Sequence, residues 1–263
     1  MRRDRPVRAG EELNMSGHSK WATIKHKKGA ADKARGKLFA KLARQIEVAA
    51  RAGGGDPDMN PGLRSAVAKA KGSQMTNDAI DRAIKRGTGD AGGQSYEAIT
   101  YEGYAPCGVA LMIEVLTDNR NRTGADIRNI FTKSGGSMAE PGAVSWQFSR
   151  RGVIIVDGSA SEEEVFELAI DAGADDVVGE AGAWKVMCAP SATPTVSEAI
   201  TAGGLSVISA ESPLVSDNLV PLDTVEDAQS VLKIIELLED NDDVQDVYAN
   251  FDMSDEVLEG ATQ

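Results

Sequence analysis

Long hydrophobic runs are missing from this 263-residue chain. No apolar stretch approaches the roughly 18 residues that a membrane-spanning helix needs, and residues 1–14 contain no apolar segment typical of a secretory signal. These absences predict a cytoplasmic protein with no membrane partner. With 41% hydrophobic and 26% charged residues, the chain is typical of a soluble globular protein with about two domains or slightly more.

Cysteine and histidine are scarce. The two cysteines, Cys107 and Cys188, fit no paired metal or redox spacing, so we interpret both as core residues. Both histidines, His18 and His26, lie among cations, without a carboxylate to orient either one as a general base or a cysteine to complete a zinc site. We therefore predict a binding protein and not an enzyme, with no catalytic residue, metal, cofactor or small-molecule substrate.

Two stretches resemble ligand-binding motifs only superficially. The acidic run at residues 239–243 lacks both the sixth-position glycine and the closing glutamate of a calcium loop, since Phe251 occupies the closing position. The spacing Gly87-x-Gly89-x-x-Gly92 matches a dinucleotide fingerprint, but it follows a predicted helix where the fingerprint requires a strand. We interpret the first as a solvated turn and residues 87–94 as a linker.

Charge is divided very unevenly along the chain. The formal net charge is -13, yet residues 1–90 carry 20 Lys and Arg against 10 Asp and Glu, whereas residues 91–263 carry 8 against 31. A basic first part on an acidic body predicts an anionic partner for the first part and repulsion of that partner by the rest. The alternative is a basic face that is only solvated.

The cations begin in GHSKWATIKHKKG at residues 17–29 and continue along a predicted helix at residues 30–52. At about 100° per residue, the helix places its basic and apolar residues on opposite sides. Binding of phosphates by this surface would follow charge and shape and weaken as salt rises. Trp21 either stacks on a base or anchors the segment to its own domain. The predicted nucleic-acid-binding residues of this part are His18, Lys20, Trp21, Lys25, His26, Lys27, Lys28, Lys33, Lys37, Lys41 and Arg44.

A second candidate contact lies in the acidic body. Arg120 and Arg122 precede a predicted helix at residues 123–134, whose N-terminal N–H groups favour anions. Either they contact a phosphate, or Asn121 or Thr123 caps the helix while the arginines pair with nearby carboxylates. The following loop is either a partner-contacting tip or an interdomain hinge. Its residues are Met138, Glu140, Pro141 and Gly142.

Periodicity predicts an α+β protein of three domains. A helical basic domain at residues 15–90 has its second helix opened by the N-cap Asn60 and by Pro61. Strands at 95–104 and 107–117 and the helix at 123–134 follow, and residues 143–202 then read as ββαββα, which predicts antiparallel sheets with helices on one face. Strands at 205–211, 218–222 and 244–251 and a helix at 225–239 complete the sheet begun at residue 95. The predicted domains are therefore 15–90, 91–136 with 205–263, and an insertion at 137–204.

Three long stretches resemble one known family. They are GHSKWATIKHKKGAADKARGKLFAKLAR from residue 17, TDNRNRTGADIRNIFTKSGG from residue 117 and MAEPGAVSWQFSRRG from residue 138. Together they closely resemble the YebC/PmpR family of probable transcriptional regulators, which also includes the mitochondrial translational activator of cytochrome c oxidase. The resemblance runs from Met15 to the C-terminal region. It implies a cytoplasmic three-domain protein with one helical and two α+β domains.

The activity that this resemblance implies is divided. Some members are described as DNA-binding transcriptional regulators, and others as ribosome-associated factors that help translation of proline-rich stretches. Our leading hypothesis is promoter DNA binding. The alternative is a translation factor on ribosomal RNA, in which the loop at 138–142 reaches a functional centre. Family members typically begin at the equivalent of Met15, so we interpret residues 1–14 as an extension that stems from the choice of start codon.

Overall fold

The computed structural model of the protein describes residues 32–89, 95–180 and 182–262. Its first part is helical, with α1 at Asp32–Gly53, α2 at Pro61–Gly72 and α3 at Asn77–Thr88. The predicted cap at Asn60 is confirmed, because its side-chain oxygen accepts a hydrogen bond from the Leu63 N–H at 3.1 Å. The apolar sides of the three helices pack together around Leu42, Ile46, Leu63 and Ile80.

The second part is a four-stranded antiparallel sheet. Its strands are β1 (Glu97–Tyr104), β2 (Ala110–Thr117), β3 (Ser137–Ala139) and β11 (Val244–Ala249), in the order β11-β2-β1-β3. Alternate residues of β2 point to one face, where helices α4 (Arg120–Lys133) and α7 (Val225–Glu239) cover them. The short helix α8 (Asp255–Ala261), which the sequence analysis did not predict, packs against α7.

The third part is inserted between β3 and α7. Its strands β5 (Gly152–Asp157), β6 (Ala174–Glu180), β7 (Ala183–Cys188) and β8 (Val207–Glu211) form a second antiparallel sheet in the order β6-β7-β5-β8. Helices α5 (Glu162–Asp171) and α6 (Thr193–Ala202) cover one face of it. The resulting βαββαβ unit has the split arrangement of ferredoxin-like domains. The α+β class with one domain inserted in the other is thus as predicted.

Short strands join the inserted unit to the first sheet. Strand β4 (Phe148–Arg150) pairs with β9 (Leu214–Ser216), and β10 (Val220–Pro221) runs parallel to β12 (Phe251–Asp252). Arg150 extends this connection, because its guanidinium lies 2.6 Å from the Glu114 carboxylate on β2. Glu114 also accepts a hydrogen bond from the Tyr248 hydroxyl at 3.3 Å. These contacts fix the inserted unit to the face of the first sheet that the helices leave open.

Several predictions about individual elements were wrong. Strand β8 was expected to complete the first sheet, but it pairs with β5 in the second, while β3 pairs with β1 in the first. Sheet membership therefore differs from the predicted boundaries of the insertion, 137 and 204. The strand predicted near residues 143–148 is replaced by a 3₁₀ turn at Ser145–Gln147 before β4. Alternation of apolar and polar residues predicts a strand and its two faces, but it does not determine which other strand this strand pairs with.

The cysteines differ from each other. Cys188 is buried in the core of the inserted unit, as predicted. Cys107 is exposed, so the prediction that Cys107 is a core residue was wrong. Cys107 lies in the tight turn between β1 and β2 with φ of 62°, and its thiol donates to the Asp227 carboxylate at 3.2 Å. Partial desolvation in the turn raises the pKa of this thiol, and the neighbouring Asp227 carboxylate raises it further.

Candidate nucleic-acid interface

The densest part of the predicted cationic surface lies outside the described residues. This applies to His18, Lys20, Trp21, Lys25, His26, Lys27 and Lys28. Lys33 is the second residue of α1. The structure therefore bears on the remaining predicted residues, which lie on α1, at the start of α4 and in the loop after β3. Phosphate binding by the segment before α1 stays a prediction.

Lys37, Lys41 and Arg44 form a cation stripe along α1, as the helical spacing predicted. The stripe faces residues 239–243, which are the last residue of α7 and the turn after it and which we call the acidic turn. Lys37 Nζ lies 2.5 Å from Asp240 Oδ1, and Lys41 Nζ donates to the Glu239 carbonyl oxygen at 2.5 Å. The last carbonyls of a helix have no partner within the helix and carry its partial negative charge, so they attract cations.

Arg44 lies at the inner end of the stripe. One guanidinium nitrogen donates to the carbonyl oxygens of Leu116 at 3.0 Å and Asp242 at 2.8 Å, and to Asp243 Oδ1 at 3.0 Å. The guanidinium also lies 5.0 Å from the centre of the Tyr96 ring, within cation–π range. The Leu116 contact attaches α1 to the end of β2, and the contacts with Asp242 and Asp243 span 198 and 199 positions of sequence.

Asp243 collects contacts from three parts of the chain. Besides Arg44, its carboxylate binds the Arg122 guanidinium at 2.8 Å and the Thr123 hydroxyl at 2.6 Å. The Thr117 hydroxyl lies 3.2 Å from the same oxygen as Thr123. Burial alone would raise the pKa of Asp243, but the hydrogen bonds and the two guanidinium groups outweigh it and hold the pKa below its usual value.

The arginines of the acidic body lie inside α4 and not before it, because the helix begins at Arg120. Asn119 is the cap, since its side-chain oxygen accepts the Arg122 N–H at 3.1 Å; the expected caps, Asn121 and Thr123, were wrong. Arg122 pairs with Asp118 and Asp243, both at 2.8 Å, and Arg120 lies 3.5 Å from Glu97. In this conformation both arginines are therefore paired with nearby carboxylates, which is the second of the two alternatives considered for them. A phosphate contact stays a prediction.

The predicted loop after β3 is held by a buried carboxylate that the sequence analysis missed. Glu102, only 7% exposed on β1, accepts backbone N–H groups of Gly142 at 2.7 Å, Val144 at 2.7 Å and Ser145 at 3.0 Å. Burial would raise the pKa of Glu102, yet these hydrogen bonds together lower it. Three converging N–H groups fix the loop while Glu140, Pro141 and Gly142 stay exposed.

An exposed aromatic residue adjoins this loop. Trp146 is 73% exposed, and its indole N–H donates to the Ala143 carbonyl at 3.1 Å, which limits the orientation of the ring. By contrast, Met138 is half-buried and packs against the core of the first sheet, and its contact with a partner stays a prediction. Trp146 was not among the predicted contacts, because the alternating pattern at residues 143–148 predicts a strand there and not an exposed turn.

Neither a metal cluster nor a membrane helix occurs among residues 32–89, 95–180 and 182–262. Within these ranges, no group of three or more His, Cys, Asp or Glu side chains is placed to hold an ion. No helix there has the length and apolarity to cross a bilayer.

Comparison with known proteins identifies the family. The description "TACO1/YebC second and third domain" matches residues 96–251, and "TACO1/YebC protein N-terminal domain" matches residues 19–90. The chain belongs to the TACO1/YebC family. This confirms the resemblance drawn from the three motifs, and the division into a helical region and two sheet regions agrees with the family's domains.

Relatives within the TACO1/YebC family share about half of the sequence. A probable transcriptional regulatory protein of Geobacter sulfurreducens is 52% identical over 245 residues, 93% of this chain and 99% of that protein. One from Rubrobacter xylanophilus, with the same description, is 54% identical over 247 residues, 93% and 98% of the two chains. The crystal structure of a conserved hypothetical protein from Aquifex aeolicus is similar with a TM-score of 0.81 and 44% identity, covering 91% of this chain and 99% of that one.

Proposed function

We propose that this TACO1/YebC protein is a non-enzymatic regulator of gene expression that binds the phosphate backbone of a nucleic acid through its helical domain. The observation that carries the proposal is the charge division, because 20 of the 28 Lys and Arg residues lie in residues 1–90 of an otherwise acidic chain. Relatives named probable transcriptional regulatory proteins support promoter DNA as the partner.

A second candidate partner, ribosomal RNA, is favoured by the surface of α3. Helices α2 and α3 are joined by a four-residue turn, as in helix-turn-helix proteins, in which the start of the second helix reads DNA bases. Here the exposed start of α3 carries Asp78 and Asp81, which would repel phosphates on entering the major groove. The exposed ring of Trp146 also offers a stacking surface for an unpaired base. An RNA with unpaired bases, bound without entry of α3 into a groove, fits both observations.

The phosphate-binding proposal is tested by the salt dependence of binding. Changing Lys25, Lys27 and Lys28 to glutamine should weaken binding to a labelled DNA duplex and an RNA hairpin. The slope of log affinity against log salt should also become shallower by about three units, because three fewer phosphates are neutralised and fewer counterions are released on binding. The matched control changes three exposed cations of the acidic body to glutamine. These are Arg128, Lys133 and Lys233. An unchanged slope in the first variant, or an equal change in the control, would refute the proposal.

The two partners are separated by sedimentation of DNase-treated lysate through a sucrose gradient at low and moderate salt. Salt-sensitive migration with ribosomes supports ribosomal RNA as the partner and makes any transcriptional effect indirect. Protein that stays at the top of the gradient under both conditions contradicts the ribosomal candidate. Chromatin precipitation for bound promoters then becomes the decisive measurement.

A further inference from the structure

The cation stripe is bound by carboxylate and carbonyl oxygen atoms. The phosphate oxygens of a nucleic-acid backbone would bind the same cations. The acidic turn offers carboxylate oxygen at Asp240, carbonyl oxygen at Glu239 and Asp242, and the negative end of α7. Phosphate oxygens would meet the same nitrogen atoms at similar distances. Lys37 and Lys41 cannot bind both at once. The surface that the charge distribution assigns to nucleic acid is therefore covered from within the chain.

We propose that the acidic turn is an intramolecular competitor of nucleic acid for the cation stripe. In the closed conformation seen here, residues 239–243 bind the stripe. Nucleic acid gains Lys37 and Lys41 only when the turn leaves them, which separates the outer end of α1 from α7. This inference rests on the proposed nucleic-acid binding, and it adds that binding and domain opening are coupled.

The outer end of the contact is suited to exchange. The side chains of Lys37 and Asp240 are 35% and 70% exposed, so water and salt screen their attraction. The inner pair differs, because the side chains of Arg44 and Asp243 are 19% and 9% exposed and Arg44 has two further carbonyl partners. Release should begin at Lys37 and proceed toward Arg44, which acts as the pivot.

The junction between α1 and the first sheet offers little apolar packing to resist opening. The core of the helical domain and the core of the first sheet form separate clusters. A cleft of about 360 Å³ lies along the junction, between α1, α2 and Leu116. Polar contacts at the stripe and the Lys69–Asp246 pair at 3.3 Å therefore make a large contribution to holding the helical domain against the body.

The competition is tested with Asp240→Asn combined with Asp242→Asn. Both residues are exposed, so the variant should fold. The matched control combines Glu162→Gln and Glu163→Gln on α5, which removes the same charge from an exposed site in the inserted unit. Affinity for a labelled DNA duplex and an RNA hairpin should rise roughly three- to tenfold in the turn variant and less than about twofold in the control, since only the former removes the Lys37–Asp240 ion pair and a second negative charge in the same turn.

A second comparison asks whether Lys37 becomes available. Lys37→Gln should weaken binding more in the turn variant than in the wild-type background, because Lys37 reaches phosphate fully only when the turn no longer holds it. Fluorescence energy transfer between labels at Gly36→Cys on the outer end of α1, where an added Cβ meets nothing, and at the exposed Leu237→Cys on α7, in a Cys107→Ser background, should fall on adding either nucleic acid. In the turn variant it should already be low without nucleic acid.

The outcomes separate the two proposals. Equal gains in the turn variant and the control would mean long-range repulsion alone and would overturn the competition, as would no gain in either. Both results leave nucleic-acid binding intact. If neither the wild type nor any variant binds either probe, the proposed function itself fails, and the competition fails with it.

Discussion

Asp243→Asn is the substitution for which the structure gives the clearest stability prediction. The carboxylate of Asp243 is 9% exposed and joins α1, α4 and β2 through Arg44, Arg122, Thr117 and Thr123. Asparagine has the same shape but carries no charge and presents an amide nitrogen where one oxygen now accepts hydrogen bonds. Whichever oxygen it replaces, this nitrogen would face a hydrogen-bond donor, because every partner of the Asp243 carboxylate is a donor.

The expected cost is about 2–3 kcal/mol of unfolding free energy. Breaking a buried ion pair from one side costs roughly 3–5 kcal/mol, and a hydrogen bond to a charged group contributes about 1.5–3 kcal/mol. The lower part of this range applies because Arg44 keeps the carbonyl oxygens of Leu116 and Asp242. For a domain of this size the midpoint of thermal unfolding should fall by about 4–10 °C.

Thermal unfolding followed by circular dichroism measures this effect. The matched control is Glu97→Gln, which also removes one carboxylate from an arginine pair but at a distance of 3.5 Å and with both side chains more than half exposed. The control should change stability by less than about 0.5 kcal/mol. Equal midpoints for Asp243→Asn, Glu97→Gln and the wild type would refute the assignment of Asp243 as the centre of the junction.

The same residue predicts a pH dependence. The pKa of Asp243 is lowered in the folded protein, so its carboxylate stabilises the fold above the unfolded value of about 3.9, and that contribution is lost as pH falls through the lower folded value. The difference in stability between wild type and Asp243→Asn should be constant from about pH 7 to about pH 5 and should shrink below about pH 4. A difference that grows in acid would contradict the lowered pKa.

Three further substitutions test the loop, the first sheet and the helical domain. Glu102→Gln should cost about 1–3 kcal/mol and speed hydrogen exchange at the Val144 amide, because one buried acceptor is lost. Gly103→Ala should cost about 1–3 kcal/mol in thermal unfolding, since the added carbon would lie 2.5 Å from the Phe131 ring. Asn60→Ala should destabilise the helical domain by about 1–2 kcal/mol in urea unfolding, because the cap of α2 is removed.

Each of these has a control nearby. Glu140→Gln changes an exposed carboxylate in the same loop and should leave hydrogen exchange at Val144 unaltered. Gly62→Ala places a carbon at ordinary contact distance, 3.5 Å from Asn60, within α2, and should keep or raise stability. Asn60→Asp retains the capping oxygen and should restore part of what Asn60→Ala loses. Effects as large in the controls as in the test variants would contradict the assigned contacts.

Local sequence patterns were sufficient for much of the fold. The helices at Thr193–Ala202 and Val225–Glu239 have the predicted bounds, and the cap at Asn60 and the cation stripe on α1 follow from the spacing of a few neighbouring residues. Helical periodicity and strand alternation depend on positions less than one or two turns apart, so they can be read without knowing the rest of the chain. The charge division is likewise a property of the sequence alone.

The tertiary structure decided what those elements face. Lys37 meets Asp240, which lies 203 positions away, and the buried Glu102 holds a loop 40 positions away. The pairing of β8 with β5 and the exposure of Cys107 were also outside the reach of local patterns. The physical reason is that a contact between distant segments depends on which packing and electrostatic arrangement of the whole chain has the lowest free energy. The residues of α1 are therefore sufficient to predict a cationic helix, whereas only the tertiary structure shows which groups bind its cations.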